Sequence, residues 1–206
     1  MRINLRSLEY QYPGNPPLFT NVNWNLENGG FYGIVGPSGS GKSTLLSIIA
    51  GKQTPTAGSV TREGINSLFW VLQSSFGVPQ RSALDHVSLP LLAKGIHPKT
   101  ADAAALDLLS RFALDHLAHQ PYATLSGGEA SRLMLARAVA VSPDLYLVDE
   151  PTAELDRRTA AQVNSVLREL INDGGIVIVA THDPTTRQVC DNVLDLSNSA
   201  NNGEMP

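Results

Sequence analysis

The chain has 206 residues, 42% of them apolar, which suffices for one compact domain with a subdomain and a sizeable core. A net charge of -4 argues against a polybasic membrane anchor or a nucleic-acid sleeve, so no nucleic acid is expected as partner. The single cysteine, Cys190, forms no internal disulfide and reads as a small structural thiol in an intracellular protein. No segment approaches the roughly 18–20 apolar residues of a membrane helix, and the start lacks a signal-peptide apolar core. Any membrane service would be that of a peripheral partner.

In chain order, the first thirty residues read as short β segments. Pro13-Gly14-Asn15-Pro16-Pro17 and Asn28-Gly29-Gly30 supply the turns. Phe31–Val35 is a short apolar strand that runs into a glycine-rich loop. Ser43–Ala50 reads as a helix, with Gly51 as its left-handed stop. Residues 77–140 look helical: Leu106, Leu109, Phe112 and Ala113 suggest an apolar stripe, and Thr100 is a candidate cap. Leu145–Val148 and Ile176–Ala180 are apolar on both faces, as in buried parallel strands. The helix candidate 159–172 lies between them, which makes a βαβ unit. The tail from Ser197 is polar and expected to fray.

Gly36-Pro37-Ser38-Gly39-Ser40-Gly41-Lys42-Ser43 fits G-x-x-x-x-G-K-[ST]. The glycines let successive N–H groups turn toward phosphate oxygens, and the following helix aims its positive end at the same anion. Lys42 would neutralise β/γ oxygens, and the Ser43 hydroxyl could ligate Mg²⁺. The flanking strand and helix are the context this motif requires.

Leu145-Tyr146-Leu147-Val148-Asp149-Glu150 is an apolar strand ending in two carboxylates. Ligands collect at the carboxyl ends of parallel strands. Asp149 could therefore hold Mg²⁺ through its water shell, and Glu150 could act as general base or orient the attacking water. Leu125-Ser126-Gly127-Gly128-Glu129 has two readings. One is a capping box with Ser126 at the N-cap and Glu129 at N3; the other is a second anion site built on a helix start. The two are compatible.

With these three motifs in this order, the chain resembles the nucleotide-binding subunit of ABC transporters over almost its whole length. Gly36–Thr44 looks like the Walker A motif, Leu145–Glu150 like Walker B, and Leu125–Glu129 like the ABC signature. In appearance the chain is nearest the macrolide-export and lipoprotein-release type. The resemblance implies an α/β fold: a P-loop NTPase core with an antiparallel β edge and a helical subdomain over about residues 77–140. It also implies a head-to-tail dimer, with a second copy or a paralogous ATPase subunit. Each ATP would sit between one subunit's Walker A and the other's Ser126, Gly127 and Gly128.

The smaller elements carry over singly. Gln73, which ends the run Phe69–Leu72, looks like the Q-loop glutamine that senses Mg²⁺ and the attacking water; Gln80 is the competing choice. His182, after Ile176–Thr181, looks like the switch histidine on the γ-phosphate. Tyr12 looks like the aromatic that stacks on adenine, although Tyr10 shares its face in a strand. Asp156 matches the D-loop aspartate, which crosses the dimer interface. Two positions depart from the family pattern. Glu154 stands where a small residue is usual, and Glu129 replaces the commoner glutamine. Neither removes a residue needed for chemistry.

The activity implied is Mg-ATP hydrolysis, with catalysis by Glu150, His182, Lys42 and Gln73, and with movement transmitted to separate transmembrane permease subunits on the cytoplasmic face of the inner membrane. The segment Phe76–Lys94 is more apolar than a surface connection needs and would carry the permease contact. Leu84–Leu92 resembles the stretch that follows the Q-loop in macrolide export and lipoprotein release, which leans toward export or extraction; polar amino-acid importers have related stretches. A C-terminal regulatory domain of the sugar-importer kind is not expected. Two other functions fit the motifs: a nucleotide-dependent regulator of a membrane partner, as in division-associated members, and a soluble ABC ATPase acting on nucleic acid or ribosomes. No N-K-x-D tetrad for guanine occurs, which argues against a GTPase.

Overall fold

The computed structural model describes residues 1–73, 76–153, 155–171 and 174–198. The amino-terminal strands are longer than the turn signals suggested. β1 (Arg2–Gln11) and β2 (Pro17–Glu27) pair antiparallel across the Pro13–Pro16 turn. β4 (Ala57–Glu63) joins the other edge of β1, giving the order β2-β1-β4. β4 escapes sequence reading because it is exposed along nearly its whole length and carries no apolar alternation.

The second sheet is wholly parallel. β3 (Phe31–Val35), β5 (Leu68–Val71), β6 (Leu145–Asp149), β7 (Ile176–Thr181) and β8 (Asn192–Asp195) lie in the order β5-β6-β7-β3-β8. β3, β6 and β7 are buried at every residue, as their unbroken apolar runs predict. Alternate residues of these strands feed two cores. Phe31, Tyr146, Val148, Val177 and Val179 face the helical subdomain and α5 (Arg157–Glu169). Tyr32, Ile34, Leu145, Leu147, Ile176 and Ile178 face α1 (Lys42–Ile49) and the antiparallel sheet.

The helical subdomain consists of α2 (Ala83–Ala93), α3 (Pro98–Arg111) and α4 (Gly127–Val141). The stripe expected on α3 is displaced. Ala101, Ala105, Leu108 and Leu109 are buried, whereas Leu106 is 41% exposed. Helical geometry explains this, since buried positions recur at i, i+4, i+7 and i+8, and Leu106 falls off that face. Thr100 lies inside α3 and does not cap it; Pro98, whose missing N–H is no loss in the first turn, starts the helix. Phe112 packs in the core just past the helix, and Ala113 (φ 54) turns the chain away.

α5 begins at Arg157, two residues earlier than the sequence suggests, because Asp156 caps it by accepting from Arg158 N and Thr159 N. Residue 172, the expected end of that helix, lies outside the described residues, as does Glu154. After β7 come α6 (Pro184–Gln188) and β8, and the short 3-10 turn Leu196–Asn198 takes in the first two residues of the tail expected to fray from Ser197. Residues 199–206 lie outside the description. Cys190 is half-buried, and its thiol is pushed up to about 11, chiefly by burial, which suits an inert structural role. Among the described residues no helix is long and apolar enough to cross a membrane.

Candidate functional site

Four neighbouring strands of the parallel sheet deliver their carboxyl ends to one edge, and the candidate residues follow from them. Gln73 comes shortly after β5, Asp149 ends β6 with Glu150 next, and His182 follows β7. The glycine-rich loop leaves β3 and enters α1. All of them line a single cavity of about 670 Å³, together with Tyr12, Ser38, Gly39, Gly41, Lys42, Ser43 and Thr44.

The loop's shape depends on its glycines. Gly36, Gly39 and Gly41 have φ of 150, 82 and 95, conformations that other residues adopt at a cost. A Cβ on Gly41 would also come within 2.7 Å of the Leu18 side chain. Gly36 and Ser40 do not line the main cavity. The Gly36 carbonyl receives Lys42 Nζ at 3.0 Å, and Ser40 lines a neighbouring hollow of about 440 Å³. Lys42 also donates to the Pro37 carbonyl at 3.3 Å, so its buried ammonium braces the loop.

Lys42 Nζ lies 3.7 Å from Glu150 Oε1, in a pair whose side chains are each 9% exposed. The same Oε1 is 2.9 Å from His182 Nδ1. Glu150 takes a positive φ of 50, unusual for a side chain of its size, and its N–H bonds to the Ala180 carbonyl at 2.9 Å. This turn off the end of β6 directs the carboxylate back across the sheet edge toward Lys42 and His182. Strain of this kind, about 1–3 kcal/mol where it occurs, concentrates at functional positions.

Asp149 is 6% exposed. Burial pushes its carboxyl above the usual range; the Ser43 hydroxyl and Lys42 oppose this, and Glu150 reinforces it. A buried carboxylate bonded to a hydroxyl, at the foot of a phosphate loop, is a donor set suited to a hard divalent cation whose other ligands are water and phosphate. No cluster of three or more His, Cys, Asp or Glu that could hold a metal by itself occurs among the described residues.

Tyr12 is 44% exposed at the cavity mouth; its hydroxyl is 3.2 Å from Thr44 Oγ1, and its ring meets Tyr10 edge-on at 5.0 Å. Tyr10 is 8% exposed and packs into the core, which leaves Tyr12 as the ring open to a ligand. Gln80 is exposed in a turn and does not line the cavity.

Ser126, Gly127 and Asp156 are not brought to this cavity. Ser126 and Gly127 are exposed at the start of α4 in a complete capping box: Ser126 N donates to Glu129 Oε2 at 2.8 Å, and Glu129 N to Ser126 Oγ at 3.4 Å. Gly128 instead lines a small crevice with Gln73 and Glu150. Asp156 is exposed and occupied in capping α5. The apolar segment Phe76–Lys94 divides. Val87 and Leu91 pack in the core, whereas Phe76, Val78, Leu89 and Leu92 face outward, Phe76 being 75% exposed.

Sequence reasoning missed Thr152 and Asp183, which support the site from behind. Asp183 Oδ2 accepts from the hydroxyls of Thr152 and Thr186, tying the turn after Glu150 to the turn after His182. The sequence shows only a Pro-Thr and a His-Asp step at these positions.

Residues 19–153 match the model of the ABC transporter family. The chain is 36% identical to the lipoprotein-releasing system ATP-binding protein LolD 2 of Caulobacter vibrioides, with 93% of this chain and 92% of that protein covered. It is 34% identical to the macrolide export ATP-binding/permease protein MacB of Nitrosomonas europaea, over 94% of this chain but 32% of that longer protein. Among solved structures it is similar to the ATP-binding cassette MJ0796 in a dimeric post-hydrolysis state with ADP and Pi. The TM-score is 0.84 at 31% identity, covering 96% and 95% of the two chains. The chain belongs to the ABC transporter family and is an ABC-type ATPase cassette.

Proposed function

We propose that the chain binds Mg-ATP in the cavity below Tyr12, hydrolyses it in a head-to-tail dimer, and drives separate transmembrane subunits, as a single ABC ATPase domain peripheral to the cytoplasmic face of the membrane. The observation that carries this is the convergence of Lys42, Asp149, Glu150, His182 and Gln73 on one cavity at one sheet edge.

In this reading, the loop amides and Lys42 hold the β- and γ-phosphates, and Tyr12 stacks on the base. Ser43 and Asp149 would hold Mg²⁺, with Gln73 beside it; the ion supplies charge neutralisation on the phosphate oxygens. Glu150 accepts the proton of the water that attacks the γ-phosphorus, and His182 steadies the developing charge. Transfer is chiefly a matter of positioning and charge.

The exposed capping box at Ser126, together with Gly127 and Gly128, presents helix N–H groups outward to the nucleotide of a second copy or a paralogous subunit. The dimeric form reported for MJ0796 supports this arrangement. The outward Phe76, Val78, Leu89 and Leu92 would receive a permease element. Cargo export or extraction is the direction favoured, in keeping with relatives named for lipoprotein release and macrolide export.

Mg-ATP hydrolysis by the purified subunit, together with identification of the membrane protein that co-purifies with it, tests both halves. Hydrolysis without any membrane partner would leave the ATPase and refute the transport role. Cysteine pairs between Phe76–Lys94 and cytoplasmic loops of that partner should crosslink, and crosslinks found only elsewhere would refute the placement.

A further inference from the structure

His86 takes no part in the chemistry above, yet it is 3% exposed in the first turn of α2, and both ring nitrogens are engaged. The Val78 N–H donates to Nε2 at 2.9 Å, and Nδ1 lies 2.7 Å from the Ser82 carbonyl oxygen. An amide N–H can only donate and a carbonyl can only accept. Nε2 therefore carries the lone pair and Nδ1 the proton, so one neutral tautomer satisfies both partners.

The imidazole packs against Tyr122, with ring centroids 5.3 Å apart and planes inclined by 33°. Tyr122 in turn covers Gly77. Its phenol is hydrogen-bonded to the Gly77 backbone, and a Cβ at Gly77 would come within 2.4 Å of the Tyr122 ring. Only glycine admits the ring so close. Two backbone bonds join the same segments: Tyr122 N to Arg81 O at 2.9 Å, and Ala123 N to Pro79 O at 3.0 Å.

The two rings thus fasten two pieces of chain together. One piece, Gly77–Ser82, follows Gln73. The other, Pro121–Thr124, runs directly into Leu125 and Ser126, and the Leu125 N–H bonds to the Tyr122 carbonyl at 3.1 Å. Neither ring lines the nucleotide cavity. We propose that His86 is a positioning residue for ATP hydrolysis: with Tyr122 it clasps the segment after Gln73 to the segment before Ser126, so that the two shift as one body. The inference rests on the roles given above to Gln73 and Ser126. It implies that pressure on the exposed Phe76–Val78 surface is passed to the start of α4 through this clasp rather than absorbed in a loop.

Three variants test it: His86→Leu fills the space without an acceptor, His86→Gln offers Oε1 to the Val78 N–H, and Tyr122→Phe keeps the ring but drops the phenol oxygen. In His86→Leu the Val78 N–H loses its acceptor, so amide exchange at Val78 should quicken about tenfold or more. Exchange at Tyr122–Glu129 should quicken with it. Mg-ATP affinity should stay within about twofold while turnover falls about tenfold, the split expected when an interaction serves only the transition state. His86→Gln should restore both the protection and most of the turnover. Faster exchange confined to residues 77–82 with unchanged turnover, or a Gln variant no better than Leu, would overturn the proposal. Should His86→Leu fail to fold, Tyr122→Phe decides: faster Gly77 exchange with lowered turnover supports the clasp, and parental turnover refutes it. A wild-type protein that did not hydrolyse ATP would sink the ATPase roles of Gln73 and Ser126, while the exchange comparison would still report on the clasp itself.

Discussion

Glu150 holds His182 at two points: Oε1 meets the ring Nδ1 at 2.9 Å, and Oε2 receives the His182 backbone N–H at 3.3 Å. Oε1 also faces the Lys42 ammonium at 3.7 Å. A triphosphate that claims Lys42 would leave the Glu150–His182 pair in place and release the carboxylate from its cation.

Replacing Glu150 by Gln keeps the size and the capacity to bond His182 but removes the basic lone pair. We expect Mg-ATP binding within a few-fold of the parent and turnover reduced by about 100-fold or more, as the usual general-base contribution of about 10²–10⁴-fold implies. ATP should then accumulate a dimer by size-exclusion chromatography with light scattering. A Gln variant that hydrolyses at the parental rate would take Glu150 out of the mechanism.

Lys42→Ala removes the brace to the Gly36 and Pro37 carbonyls together with the cation proposed to hold the phosphates. Loss of charge-assisted hydrogen bonds at about 1.5–3 kcal/mol each predicts affinity for ATP lowered by about 100-fold. Equilibrium titration with a fluorescent nucleotide measures this, and unchanged affinity would place the phosphates elsewhere.

Asp149 gives a pH dependence whose sign follows from its burial. Its carboxyl in the folded protein titrates above the ordinary value of 3.8, with desolvation the largest cause. The folded state thus binds that proton more tightly than the unfolded state, and stability falls as pH rises through the folded value. Asp149→Asn, which cannot ionise, should melt a few degrees higher than the parent at pH 7 in nucleotide-free buffer. That advantage should shrink as pH drops toward 3.8, while Mg-dependent ATP binding is lost at every pH. Equal melting temperatures at pH 7 would show that the buried charge is compensated by a group other than Lys42.

Ser126 and Glu129 can be separated. Each supports the start of α4, so Ser126→Ala and Glu129→Ala should each cost about 1 kcal/mol in chemical denaturation. Glu129 titrates below its ordinary 4.5, chiefly through its bond to the Ser126 side chain, so its contribution is present above that value and fades as pH falls below it. Turnover should fall about tenfold or more in Ser126→Ala, on the scale of a lost oxyanion contact, and much less in Glu129→Ala. Equal losses of turnover would mean that Ser126 acts only as a cap.

The sequence by itself determined the elements whose physics is local. β3, β6 and β7 are apolar on both faces because both faces are covered, so their runs could be read directly. The loop 36–43 is legible because its backbone demands glycine, and the box at Ser126 and Glu129 because capping needs an oxygen three residues from its partner. Tertiary structure decided the rest. β4 is solvent-facing, and only pairing with β1 makes it a strand. Leu106 turned outward because the face of α3 is chosen by what packs on it. Tyr12 and Tyr10 would share one face of a continuous strand, and only the burial of Tyr10 against Phe19 shows which ring stays open. The left-handed turn at Glu150, and with it the meeting of Glu150, His182 and Lys42, comes from three strand ends brought side by side across the sheet. Contacts between residues so far apart in the chain leave no mark in spacing, composition or periodicity.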